Sequence, residues 1–121
     1  MAKIVVRCPS CEGELHATRL GCAACGTHLD GLFEIPLLLQ LPADDLMFVT
    51  AFVRASGSLK AMASLEGASY PTIRNRLDEI IARLTELERG VLKKRHEILD
   101  ALESGKLTAR VAEEQLRKVG L

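Results

Sequence analysis

The stretch "GSLKAMASLEGASYPTIRNRL", Gly57 to Leu77, decides how the chain is read. Two short helical patterns flank "EGAS". Ser58 can cap the first, with Leu59, Met62, Ala63 and Leu65 turned inward. Gly67 stands where a helix end needs a left-handed residue. Ser69 is a good cap for the second helix, and Pro71 fits its first turn, where a missing N–H costs nothing. From about Tyr70, a rotation of 100° per residue gathers Ile73, Leu77, Ile80, Ile81 and Leu84 on one face. Pro71, Thr72, Asn75 and Asp78 fall opposite, flanked by Arg74 and Arg76. A short helix, a glycine turn and a longer helix with a polar exposed start make a helix-turn-helix pattern. In such a unit Thr72 and Asn75 are placed for base edges, Arg74 and Arg76 for phosphate or guanine, and Lys60 and Arg54 for the backbone.

Upstream, Asp44 and Asp45 put negative charge at the start of another helix. Leu46, Val49, Phe52 and Val53 give that helix an apolar stripe, which Met47 and Phe48 widen. With it the central region, residues 42–88, becomes trihelical. Residues 34–41, "EIPLLLQL", form a linker expected to be buried against these helices.

The four cysteines all lie in residues 1–33, as Cys8-x2-Cys11 and Cys22-x2-Cys25. Two intervening residues let one turn offer two thiolates to one ion, and two such turns complete a tetrahedral site. One structural zinc ion per chain is expected. A redox pair, a disulfide and iron are the alternatives. His16 and His28 are expected at the surface, since four sulfurs already satisfy the metal. Gly13 and Gly26 are expected to supply the permissive turn torsions. The spacer "LHATRLGC" is expected to form the hairpin of a small β ribbon. A closed four-sulfur site leaves no open position for catalysis.

Residues 89–121 continue the helical pattern. Gly90 interrupts it, at about 1 kcal/mol against alanine if the helix runs on. Leu77, Leu84, Val91 and Ile98 lie seven apart, which points to pairing with a second copy and so to a homodimer or higher homo-oligomer, although Lys94 and Ala101 fall where the second series of a coiled coil wants leucine. The run Lys93-Lys94-Arg95-His96 reads as a solvated face. "LESGKLTARVAEEQL" is a helical hairpin: Ser104-Gly105 stops one helix, Thr108 caps the next, and Ala109, Ala112 and Leu116 line a face.

The 16 basic and 16 acidic residues cancel. No segment is strongly cationic, which argues against tight non-specific nucleic-acid binding but leaves a local basic face open. No apolar run is long enough for a signal peptide or a membrane span, so a cytoplasmic protein is expected. No nucleophile–base cluster or phosphate loop is visible, so no enzyme is expected.

The three modules together resemble the domain-of-unknown-function family 2089. The resemblance rests on Cys8-Pro9-Ser10-Cys11, Cys22-Ala23-Ala24-Cys25-Gly26, Phe33-Glu34-Ile35-Pro36 and Ser69 to Ile80. It implies a zinc ribbon followed by a sigma-factor-like helix-turn-helix, and a regulator of transcription that binds DNA. Glu12 departs from the glycine that often follows the first cysteine pair. Pro42 departs from a capping serine, which weakens the start of the first helix. The tail, Glu97 to Leu116, is similar to short SHOCT-like helical modules associated with oligomerisation. The fold class expected is mainly α with a small β ribbon. A protein-interaction adaptor, docking on a partner in the transcription machinery, is the competing functional reading.

Overall fold

The computed structural model describes residues 4–119. Strands β1 (Ala17–Gly21) and β2 (His28–Phe33) are followed by a single 3-10 turn at Leu37–Gln40. Four helices come next: α1 (Ala43–Arg54), α2 (Leu59–Glu66), α3 (Tyr70–Glu103) and α4 (Ala109–Val119). The chain divides into two compact units. Leu37–Arg89 forms one, and the segments to either side form the other.

In the helical unit, α1, α2 and the first part of α3 enclose one core. Leu41, Phe48, Leu59, Met62, Ile73 and Ile80 are buried in it. Leu41, the last residue of the linker, therefore does pack on the helices, while Leu38 and Leu39 are exposed. The caps form where the sequence places them. Ser58 Oγ accepts the Ala61 N–H at 3.1 Å, and Gly67 closes α2 at φ +63°. Ser69 Oγ accepts the Thr72 N–H at 3.3 Å. Pro42 precedes α1 and offers no capping side chain, so α1 starts without one.

Four apolar residues expected inward are not. Met47, Val53, Leu65 and Ile81 are all exposed. Val53, Leu65 and Ile81 flank the buried stripes of their helices, whereas Met47 lies on the side of α1 turned away from Asp45 and Phe48, so the apolar pattern is wider than the face each helix buries.

Asp45 is the opposite case. Its place at a helix start predicts exposure, yet it is the one buried charged residue among those described, 1% exposed. Arg83 Nη1 donates to its Oδ2 at 2.5 Å, and Arg76 Nη2 lies 2.6 Å from its Oδ1. The Arg76 contact is ionic but off the hydrogen-bond axis, so Oδ1 has no aligned donor. One carboxylate of α1 thus holds two guanidiniums spaced seven residues apart on α3. A buried charge persists only when it is paired in this way.

α3 runs through Gly90 without a break. At 1.5 Å per residue, its 34 residues span about 51 Å. The glycine's cost of about 1 kcal/mol is small beside the apolar packing on either side. Leu84 packs against the core of its own chain, and Val91 is half-buried. The seven-residue series therefore turns largely inward.

In the other unit, the C-terminal hairpin closes as the sequence implies. Gly105 is left-handed at φ +76°, the Lys106 N–H donates to the Ala101 carbonyl, and Thr108 Oγ1 accepts the Val111 N–H. Ala112 and Ile98 are buried there, whereas Ala109 is exposed. No helix of the described residues is long and apolar enough to cross a membrane.

Candidate metal centre and nucleic-acid interface

The ribbon hairpin differs from the sequence reading. β1 lies within the cysteine spacer, but its antiparallel partner β2 follows Cys25. The pairing runs from Gly21↔His28 to Ala17↔Phe33, with an irregularity between Ala17 and Arg19. The second cysteine pair is therefore the tip of this hairpin. The first pair caps a smaller one, closed by the bridge Arg7↔Glu14. A ten-residue spacer read as a self-contained hairpin cannot be told from one strand seeking a partner further on.

The two tips share one backbone pattern. The Cys8 N–H donates to the Gly13 carbonyl, and the Glu12 N–H to the Cys8 carbonyl. The Cys22 N–H donates to the Thr27 carbonyl, and the Gly26 N–H to the Cys22 carbonyl. The left-handed residue is Gly26 in the second turn, at φ +76°, and Glu12 in the first, at φ +60°. Gly13, expected to supply that torsion, does something else. A Cβ there would meet Cys11 Sγ at 3.3 Å. Arg7 steadies the first turn by donating to the Glu12 carbonyl at 3.2 Å.

The turns favour thiolate. The backbone N–H groups of Ser10 and then Cys11 hold the Cys8 thiol below its ordinary range. Thr27, chiefly through its hydroxyl 3.0 Å from Cys25 Sγ, does the same for Cys25. Donors aimed at sulfur stabilise its charged form, which is the form that binds metal. Among the described residues no three Cys, His, Asp or Glu side chains stand close enough to share an ion. The backbone thus prepares two two-thiol halves. Their donor chemistry fits zinc, which would be held by Cys8, Cys11, Cys22 and Cys25 and would supply a cross-link between the turns.

The start of α3 presents Thr72, Arg74 and Asn75 to solvent, with Ile73 buried behind them at 2% exposure. Pro71 and Lys60 of α2 are exposed as well. Thr72 is held by Ser69, the two hydroxyls lying 2.7 Å apart. Arg74 pairs with Asp78 at 3.3 Å, both about half exposed. Such a surface pair contributes about 0–1 kcal/mol and releases its arginine easily. Arg76, expected beside them, faces Asp45 and Glu79 instead. The sequence signal for this was the spacing of Arg76 and Arg83 on the margin of α3's apolar face, opposite an aspartate three residues before the buried Phe48.

Two family models match, "DUF2089 zinc ribbon" over residues 8–38 and "Domain of unknown function (DUF2089)-HTH" over residues 41–86. Together they cover well over half of the sequence. The chain belongs to the DUF2089 family. Neither model reaches the C-terminal segment. No curated protein and no solved structure gives a significant match. A zinc ribbon joined to a helix-turn-helix is an arrangement of the kind found in nucleic-acid-binding regulators, and DUF2089 members share its parts.

Proposed function

We propose that this DUF2089 protein is a zinc-stabilised, non-enzymatic regulator that reads duplex DNA through the first turns of α3. The observation that carries this is the preorganised tip of α3. Gly67 turns the chain, Ser69 caps the helix, Ile73 anchors it, and Thr72, Arg74 and Asn75 are left in solvent. A helix held on a rigid core and offering amide, hydroxyl and guanidinium groups at its N-terminal end is what major-groove readout needs. Asn75 is suited to a bidentate contact with adenine, and Arg74 to phosphate or guanine once it leaves Asp78. Lys60 supplies backbone contact. Arg76 serves differently, as the brace that fixes α3 on α1. The balanced net charge fits a protein whose binding depends on a few placed contacts rather than a cationic surface.

The test is selection of genomic duplex fragments by the zinc-loaded full chain at physiological salt. A defined motif is expected. Asn75→Ala should cost about 1–3 kcal/mol and relax one position of the motif. Arg74→Ala should weaken binding across sequences and flatten its salt dependence if its contact is to phosphate. Absence of any enriched motif would overturn the reading.

A further inference from the structure

The outer face of α1 is unusual for a short helix that already buries one side. With Leu65 of α2 it forms a groove of about 490 Å³, lined by Leu46, Met47, Thr50, Ala51, Arg54 and Ala55. Met47 and Leu65 are 69% and 82% exposed, so within the helical unit the groove is open and apolar. Arg54 lines it, and Asp44 lies beyond Met47 in the first turn of α1. Both are exposed, and neither has a hydrogen-bond or ion-pair partner among the described residues.

The order of these residues along α1 is what identifies an occupant. Asp44 and Arg54 lie five residues on either side of Val49. Met47 and Ala51 lie two on either side of the same residue, and Ala43 and Ala55 six. Rotation of 100° per residue places Asp44, Met47, Ala51 and Arg54 within an arc of about 80°. A second α1 laid antiparallel about a two-fold axis level with Val49 would therefore meet the first in complementary pairs. Asp44 would face Arg54 of the copy, twice. Met47 would face the small Ala51, twice, and Ala43 would face Ala55. Large against small and charge against counter-charge, all on one centre, is the self-complementarity an isologous contact requires.

We infer that the α1 face, flanked by Leu65, is a homodimer interface whose occupant is the α1 face of a second copy. This face is preferred to the seven-residue series of α3 because Met47 and Leu65 are left in solvent, whereas Leu77 and Leu84 pack on their own core and Ile98 is buried; Ala51 and Ala55 touch that core as well, and only their outer sides are offered. The inference does not depend on DNA binding. One 12-residue helix and a flanking leucine make a small interface, so micromolar association is expected rather than an obligate dimer. If the DNA reading also holds, two-fold pairing would make the target an inverted repeat.

Sedimentation of the zinc-loaded full chain over the micromolar range tests this. The wild-type chain should dimerise reversibly. Asp44→Lys sets two positive charges face to face at each end of the contact, and Arg54→Glu sets two negative ones there. Each single variant should therefore associate about tenfold or more weakly. Both substitutions lie on exposed side chains, and circular dichroism checks that each variant is folded. An equimolar mixture of the two variants should recover association as a heterodimer, because each mixed contact is again of opposite sign. Recovery on mixing is an outcome that a folding defect cannot imitate. A wild-type monomer throughout the range would overturn the inference, as would single variants that dimerise like wild type. Leu92 is an exposed leucine of α3, next to Val91 of the seven-residue series; loss of association on Leu92→Glu with none on Met47→Glu would move the interface to α3 and overturn the inference equally.

Discussion

The ribbon and the trihelical region reach a fixed structure by opposite means. No residue from 4 to 36 is buried. Turns and strand pairs there satisfy backbone hydrogen bonds, but almost no apolar area leaves water. Between Leu41 and Ile80, six apolar side chains and one aspartate are withdrawn from solvent. At roughly 1.5–3 kcal/mol per buried side chain, such a core offsets a large part of the ordering entropy of a small helical unit. The ribbon has no such source. A zinc ion shared by its four thiols would supply the missing stabilisation, as structural metals do in small segments that lack a core.

Metal removal gives the largest effect. Chelation of zinc from the full chain should erase amide protection at Cys8, Cys22 and Gly26, while α1 and α2 keep theirs. Structural zinc contributes about 10–16 kcal/mol of apparent binding energy in small finger peptides, far more than the ribbon can replace. Hydrogen exchange read residue by residue checks this. Collapse of α1 and α2 protection together with the ribbon would break the contrast.

A matched pair of arginine substitutions sharpens it next. Arg76→Gln with Arg83→Gln leaves Asp45 buried without a counter-ion, and should cost about 3–5 kcal/mol in denaturant unfolding of the helical region. Arg19 pairs with Asp30 in the ribbon at a similar 2.5 Å, but the two side chains are 62% and 63% exposed. Arg19→Gln should cost less than about 1 kcal/mol. Equal costs at the two sites would show that burial is not what separates them.

The smallest effect concerns Glu14 and Lys94, which lie 2.7 Å apart. Hydrogen bonding to Lys94 holds the Glu14 carboxyl below its ordinary range, partly opposed by burial. A depressed carboxyl adds stability that is present above its unfolded value and is lost as pH falls through the folded one. Both groups are nearly half exposed, so the contribution stays under about 1 kcal/mol. Lys94→Met should return the Glu14 titration, followed by carboxyl carbon chemical shift, toward an ordinary glutamate. An unchanged titration would remove this tie.

What the sequence discloses follows the same division. Features fixed by neighbours along the chain are legible: the Ser58 and Ser69 caps, the Gly67 turn, the cysteine pairs, the Thr108 cap. Features set by partners far away are not. Asp44 and Asp45 are adjacent and identical in type, yet only Asp45 turns inward, because its partners lie on α3, Arg83 being 38 residues on. The spacer does hold β1, but its partner strand lies beyond Cys25, since strand pairing is not a local property. Gly90 leaves the helix undecided, because a cost of about 1 kcal/mol is settled by packing that lies elsewhere. At the N-terminal end of α3, Thr72, Arg74 and Asn75 are exposed as their helical positions imply, whereas Arg76 is claimed by Asp45.

The two cysteine turns are alike in hydrogen bonding and unlike at one residue. Gly26 takes the left-handed conformation freely, while Glu12 adopts it against a steric cost of roughly 1–2 kcal/mol. In a zinc-loaded ribbon that asymmetry would set an order of events. If zinc were held across both turns, a competing chelator would free the turn of Cys8 and Cys11 first, and the turn of Cys22 and Cys25 would keep its grip longer. Metal would then leave and return through one side of the ribbon, with the Cys22–Cys25 pair as the last ligands to let go and the first to recapture it.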